Sequence, residues 1–164
     1  MKKLLVITAL ALATAGLQAA DAPFFQASLT PDIAIYPKTT EISGISLDIW
    51  GENPQHSFNL GFVNGSTGDS SGFSWAFFVN YADSYTGVEW SMVNISRTSF
   101  VGWQAGIFNY SEGKFKGLQM GLVNYAENLH GVQIGFANIA RNNGWFNEFP
   151  DKLATGFPFV NWSF

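Results

Sequence analysis

The stretch from Gly117 to Ala140 contains two nearly identical units that begin fourteen residues apart. It reads GLQMGLVNYAENLHGVQIGFANIA, and each unit has the order glycine, apolar, glutamine, apolar, glycine, two apolar residues, asparagine, large apolar residue, alanine. Self-similarity at a fixed period indicates that one supersecondary unit is used repeatedly, and about fifteen residues have room for one strand and one turn. We therefore expect an array of similar strands.

The same unit continues toward the N-terminus, where it becomes less regular. Its asparagine recurs at intervals of 16, 14, 15, 15 and 14 residues, at Asn64, Asn80, Asn94, Asn109, Asn124 and Asn138. A seventh, degenerate unit, GISLDIWG, runs from Gly44 to Gly51 and has Gly51 in place of the asparagine. The repeat region thus covers about residues 44–140.

Within each unit the period is two, which predicts a strand and not a helix. Because successive strand side chains point to opposite faces, each unit has one apolar face and one small or polar face. In the last unit Val132 and Ile134 lie on the apolar face. The small or polar face of the three most regular units carries Gln104, Gln119 and Gln133, each followed two residues later by Gly106, Gly121 and Gly135.

The N-terminus has the order of a secretory signal peptide. Lys2 and Lys3 precede an apolar run that ends near Leu17, and small residues follow at Ala19 and Ala20. We predict a signal peptide over residues 1–20 and a single repeat-built β domain over residues 21–164. The absence of cysteine excludes disulfides and thiolate chemistry in this exported chain.

The amino-acid composition limits the classes of partner that this chain can bind. Only 12% of the residues are charged, the net charge is −4, and aromatic residues make up 16%. Nucleic-acid binding calls for a basic patch, which this chain lacks, so no nucleic-acid partner is expected. This high aromatic content and low content of charged residues are unfavourable for a freely soluble surface.

The C-terminal segment, about residues 156–164, alternates as a strand, with Val160, Trp162 and the terminal Phe164 on one face. It resembles the last strand of bacterial outer-membrane β-barrels, which commonly ends on an aromatic residue preceded by apolar residues at alternate positions. This resemblance implies an outer-membrane location in a Gram-negative-type envelope, with membrane lipid and the barrel-assembly machinery as partners.

The repeats are similar to a family of short surface repeats of exported bacterial proteins, which have the form G-x-Q-x-G-x-x-N-x-A. The match is close for residues 117–126 and 131–140, fair for residues 102–111 and loose before them. The resemblance implies an exported, surface-associated protein of unassigned activity. It supplies no catalytic residues.

Two folds are compatible with repeated strands that have one apolar face and one small or polar face. We predict an antiparallel meander closed as a small transmembrane β-barrel of eight to ten strands, because strands can span a membrane only as a closed sheet. The apolar column would face lipid, and the glutamines and glycines would fill the interior. The alternative is a parallel β-solenoid, in which equivalent asparagines stack at a corner. The asparagine column favours the solenoid, whereas the many aromatic residues favour the barrel.

The predicted role is structural or interactive at the cell surface, without catalysis, cofactor or metal. A protein or glycan partner stays unspecified, and the alternative is an exported soluble β-solenoid that acts as a binding module. His56 and His130 lie in different predicted turns, where no base and nucleophile arrangement is indicated. Asp48 and Glu89 fall on the small or polar face, where burial would shift their titration. A third alternative, a membrane enzyme that modifies lipids, would need His56 or His130 to lie beside a serine and a carboxylate.

Overall fold

The computed structural model describes residues 22–164, so the predicted signal peptide, residues 1–20, lies outside the described residues. Eight strands form one sheet in the order β2-β1-β3-β4-β5-β6-β7-β8. No helix within the described residues is long and apolar enough to cross a membrane. The strands are β1 (Phe25–Thr30), β2 (Ile33–Ala34), β3 (Ile45–Asn53), β4 (His56–Trp90), β5 (Val93–Ala105), β6 (Phe108–Met120), β7 (Val123–Ala140) and β8 (Gly156–Ser163).

Consecutive repeats pair in parallel and in register. β1 pairs with β3, and each of β3 to β6 pairs with the next strand in the chain, in every case parallel. Asn109 stands opposite Asn94 on one side and Asn124 on the other. A chain that places each repeat parallel to the last one winds as a coil, and here it forms a β-solenoid of about six turns.

The predicted antiparallel transmembrane β-barrel is therefore wrong, and so is the role as a membrane-spanning barrel protein. A meander reverses direction at each strand, so its ladders are antiparallel, but the repeats here make parallel ladders. The alternative fold, the parallel β-solenoid, is the one observed. In the part of the chain that the structure describes, antiparallel pairing between strands occurs at the two ends of the sheet, where β2 pairs with β1 and β8 pairs with β7.

The interior of the coil is mostly polar and its exterior mostly apolar. Within residues 22–164, 27 polar or charged residues are buried, against 11 apolar residues, five of which are alanine. In the same part of the chain 29 large apolar residues are exposed. This arrangement is the reverse of the usual one, since large apolar residues are most often buried.

The first glycine of the unit is required by backbone conformation and by close approach of the next turn. Gly117 has a φ of +136°, and an added Cβ would overlap the carbonyl oxygen of Gly102 one turn earlier. The same conformation recurs at the equivalent glycine one turn later, Gly131. This region of φ is essentially open to glycine alone.

The second glycine of the unit makes room for an asparagine. A Cβ on Gly121 would lie 2.7 Å from Nδ2 of Asn109, the asparagine of the preceding turn. Gly106 has the same relation to Asn94 at 2.9 Å, and Gly135 to Asn124 at 2.6 Å. The spacing between glycine and asparagine in the repeat therefore reflects packing between turns.

The apolar part of the interior is a short ladder of aromatic rings in the later turns. The rings of Tyr85 and Phe100 stack at 6.0 Å between centroids, and those of Phe100 and Phe115 at 5.4 Å. Leu129 continues this cluster, and all four side chains are at most 2% exposed. Packing in this ladder is the main apolar contribution to the stability of the solenoid.

Candidate binding surface

In the later turns the coil bends at an apolar residue, which is exposed at Met92 and Leu122 and half-buried at Ile107. The bends at residues 91–92, 106–107 and 121–122 separate the strands of successive turns. Leu122 is 60% exposed, and the equivalent Phe136 is 72% exposed. We call this row of residues the apolar corner: Ile49, Phe62, Phe77, Met92, Ile107, Leu122 and Phe136.

The two sheet faces that meet at the apolar corner are also apolar. On the face before the corner, Trp90 stands beside Ala105, which stands beside Met120. On the face after the corner, Val93 stands beside Phe108, which stands beside Val123 in the next turn. The exposed large residues of these faces include Leu47, Trp50, Trp75, Phe78, Trp90, Trp103, Phe108, Met120 and Ile134.

A row of charged side chains lies about five residues beyond the apolar corner, as Glu127 does beyond Leu122. Arg97 contacts Asp83 across neighbouring turns, with Nη1 3.2 Å from Oδ1. We call this row the charged edge, and its members are Asp83, Arg97, Glu112, Glu127 and Arg141. Five residues are about a third of a fourteen- to fifteen-residue turn, so the charged edge lies about a third of the way round the coil from the apolar corner.

Tyrosines occupy the boundary between the second apolar face and the charged edge. The rings of Tyr110 and Tyr125 stack at 4.9 Å, and the Tyr125 hydroxyl donates to Oε2 of Glu127 at 2.6 Å. Tyr81 donates to Oε2 of Glu52 at 2.7 Å. Burial raises the pKa of Tyr81 to about 12, with the Glu52 contact acting in the same direction. Tyr81 and Tyr125 thus direct their hydroxyls toward carboxylates at the border of the apolar surface.

Two depressions deepen the apolar surface near the N-terminal end. One, of about 640 Å³, lies between the β1–β2 hairpin and the first turns, with Ile33 and Leu60 in its lining. The other, of about 360 Å³, follows the corner past Met92. Trp75 and Phe77 line both, so the two depressions adjoin at these side chains.

Inside the coil, the three repeat glutamines form a directional ladder that ends on Glu89. Gln133 donates from Nε2 to Oε1 of Gln119 at 2.8 Å, and Gln119 donates to Oε1 of Gln104 at 3.0 Å. Gln104 in turn donates to Oε2 of Glu89 at 3.0 Å. Complete burial raises the pKa of Glu89 to about 8, an effect that the hydrogen bond from Gln104 only partly offsets.

The repeat asparagines form a second buried ladder that runs in the opposite direction. Asn94 donates to Asn109, Asn109 to Asn124, and Asn124 to Asn138, each from Nδ2 to Oδ1 at 2.8 Å. The second Nδ2 proton of Asn109 goes to the carbonyl of Met120 at 2.9 Å. Asn80 begins this ladder with a 3.1 Å bond to Asn94, whereas Asn64 donates to Ser74 and the Trp75 carbonyl instead.

The other ionisable residues singled out in the sequence are not brought together. His56 lies on the outside, with Nδ1 2.7 Å from the Ser71 hydroxyl, and His130 is exposed on the same outer row several turns away. Asp48 is buried beside Ser46, and burial raises its pKa. Within residues 22–164, no group of three His, Asp or Glu side chains has the arrangement of a metal site.

The C-terminal strand continues both faces of the last turn. Trp162 stands opposite Val132, Val160 stands opposite Ile134, and the inward Asn161 stands opposite Gln133. Val160 and Phe164 are exposed, at 37% and 65%. β8 therefore covers the last parallel edge and extends the apolar exterior by one strand.

The apolar corner was missed by the sequence analysis, although the repeat contains its signal. Two consecutive apolar residues, such as Leu122 and Val123, interrupt the period of two between the glycine and the asparagine. In the structure both side chains of this pair point outward across the bend. Comparison with known proteins adds no assignment, since no family model, no curated protein and no solved structure matches this chain.

Proposed function

We propose that this protein is an exported, non-catalytic binding module, and that the apolar corner with its two adjoining faces is the binding surface. The observation that carries the proposal is the exposure of 29 large apolar residues within residues 22–164, most of them on the outside of a coil whose interior is polar. Soluble monomers rarely expose contiguous apolar patches larger than a few hundred Å², and larger ones mark sites of interaction.

The fold supports a passive role for the buried polar groups. Glu89 is fully buried, and its carboxyl group is the last hydrogen-bond acceptor of the glutamine ladder because it accepts from Gln104. The asparagines and glutamines bond mainly to one another across turns. The apolar exterior is thus the part of the molecule that is free to meet a partner. Export and a cell-surface position are supported by the signal-like N-terminus and the resemblance of the repeats.

Adsorption to an apolar matrix tests this proposal without assuming a particular partner. The corner variant carries three substitutions in the apolar corner: Phe62→Glu, Met92→Glu and Leu122→Glu. The edge variant adds the same charges near the charged edge: Ser84→Glu, Thr98→Glu and Asn128→Glu. The full chain is expressed in a bacterial host, purified in detergent and incubated with octyl-substituted beads after the detergent is removed.

We expect the wild-type protein and the edge variant to bind the beads equally, and the corner variant to partition at least tenfold less. Burial of each 100 Å² of apolar surface is worth about 2.5 kcal/mol, and the three changes remove surface of this order at each site. Circular dichroism checks that all three proteins keep their strand content. Equal binding by the corner and edge variants would show that the apolar corner is not the binding surface.

A further inference from the structure

The apolar corner is convex, which restricts what can cover it. The chain bends at residues 91–92 and 121–122, and exposed apolar side chains such as Met92 and Leu122 stand at the bends and on both faces beside them. A second copy of this chain could cover one face, but two convex corners cannot enclose each other. A fluid apolar medium can surround a corner from three sides at once.

The area of the exposed apolar surface also favours a fluid apolar medium over a single protein partner. An aromatic side chain offers roughly 150–250 Å², so exposures such as the 50% of Phe62 and the 52% of Trp90 leave on the order of 100 Å² each. Summed over the corner and its faces, this exceeds the roughly 800 Å² per partner that a standard protein interface covers. One protein partner of ordinary size would leave much of the apolar surface in water.

The polarity of the surface is graded along each turn. The apolar corner comes first, tyrosines such as Tyr110 and Tyr125 follow three residues later, and the charged edge follows two residues after the tyrosines. Elements that lie in a membrane interface show this order, since amphipathic tyrosines favour the headgroup level and charges stay in water. All turns have the same orientation, so the whole length of the solenoid can lie along one plane.

We infer that the solenoid lies on a lipid bilayer, with the apolar corner immersed among the acyl chains and the charged edge facing water. This inference rests on the proposed function and names its partner. The two depressions that adjoin at Trp75 and Phe77 offer space into which acyl chains can pack. Because the charges of the charged edge are few and mixed in sign, attraction to anionic lipid contributes little.

Flotation with phosphatidylcholine vesicles tests this inference on the full chain and the two triple variants. The wild-type protein and the edge variant should float with the vesicles, whereas the corner variant should bind at least tenfold more weakly. Acyl chains labelled with bromine should quench the tryptophan fluorescence of the bound wild-type protein. Raising the salt concentration, or replacing part of the lipid with phosphatidylglycerol, should change the bound fraction less than twofold.

Analytical ultracentrifugation of the detergent-free protein separates the other outcomes. Adsorption to octyl beads without flotation, together with a dimer that the corner substitutions dissociate, would overturn the bilayer inference and leave the proposed function standing, with a second copy as partner. Failure to bind both beads and vesicles would overturn the two together. Flotation that is the same for the corner and edge variants would also overturn the inference.

Discussion

Nε2 of Gln104 lies 3.0 Å from Oε2 of Glu89, so a carboxyl group accepts the last hydrogen bond of the glutamine ladder. All the amides of this ladder donate in the same direction, toward the N-terminal end of the solenoid. Burial dominates the titration of the carboxyl and raises the pKa of Glu89 to about 8. The ladder therefore ends on a group that is mostly protonated at neutral pH.

Stability should decrease as pH rises from about 4.5 to about 8, the usual and the folded-state pKa of Glu89. In this interval the folded protein holds a proton that the unfolded chain has released, so the contribution is fully present below the unfolded pKa and lost as pH passes the folded pKa. The slope from one such group is at most about 1.4 kcal/mol per pH unit.

Glu89→Gln should remove most of this slope, because it continues the column with the residue found in the next three turns and cannot ionise. Asp48, whose pKa burial also raises, accounts for a residual slope of the same sign. Urea unfolding at pH 5.5 and pH 8 measures the effect, with the exposed Glu112→Gln as the control. An unchanged slope in Glu89→Gln would mean that another group is responsible.

Asn109 is predicted to tolerate neither alanine nor aspartate. Alanine removes hydrogen bonds to Asn94, Asn124 and the Met120 carbonyl, and leaving buried partners unsatisfied costs about 1–3 kcal/mol for each group. Aspartate keeps the shape but loses both donors and adds a buried charge. The free energy of unfolding should fall further in Asn109→Asp than in Asn109→Ala at pH 8, and the difference should narrow at pH 4. The exposed Asn128→Asp serves as the control.

Gly117→Ala should prevent folding of the solenoid, because its Cβ would overlap the Gly102 carbonyl at a φ of +136°. Gly68 also has a positive φ, of +61°, but an added Cβ there meets nothing within 4 Å. Gly68→Ala should therefore cost only about 1–2 kcal/mol, the penalty of the left-handed conformation itself. Thermal unfolding followed by circular dichroism compares the two. Equal losses would refute close packing between turns at Gly117.

Phe100→Ala should lower the free energy of unfolding by about 3–5 kcal/mol, because the ring is fully buried between Tyr85 and Phe115. Phe136→Ala makes the same chemical change at a side chain that is 72% exposed, and it should change stability by about 0.5 kcal/mol or less. Urea denaturation measures both. A larger loss at Phe136 would indicate that the faces of the coil are reversed.

The strand period and the two faces could be predicted from the repeats, because side-chain alternation depends only on local geometry. The direction of pairing could not, since a small barrel and a solenoid both place small or polar residues inside. Asn124 shows the difficulty: it has the parity of Leu118 and Met120, yet it is fully buried. The bend at residues 121–122 shifts the register of inward positions, and a strict period of two assigns the asparagines to the wrong side.

The alternation of side chains in the sequence also could not show whether the apolar face of the strands meets lipid or water. Exposed residues such as Trp90 and Leu122 read as lipid-facing strand positions in a barrel, and the same residues form the outer surface of the solenoid. In a solenoid Leu122→Arg is a surface change that should cost about 0.5 kcal/mol or less in water. In a spanning strand it would cost on the order of 2–4 kcal/mol.

Parallel, in-register stacking is the central claim, and distances between spin labels test it most directly. The chain has no cysteine, so pairs of introduced cysteines can be labelled without background. Thr86, Lys116 and His130 share one outer row, and the hydrogen bond between His56 and Ser71 extends it by further turns. Labels at Thr86→Cys and His130→Cys are three turns apart, and labels at His56→Cys and His130→Cys are five turns apart.

With a spacing of about 4.8 Å per strand, electron–electron double resonance should give separations near 14 Å for the Thr86 pair and near 24 Å for the His56 pair. The difference of about 10 Å is independent of the label linkers if both labels extend from the same row. A His56 pair that is no longer than the Thr86 pair would contradict the solenoid.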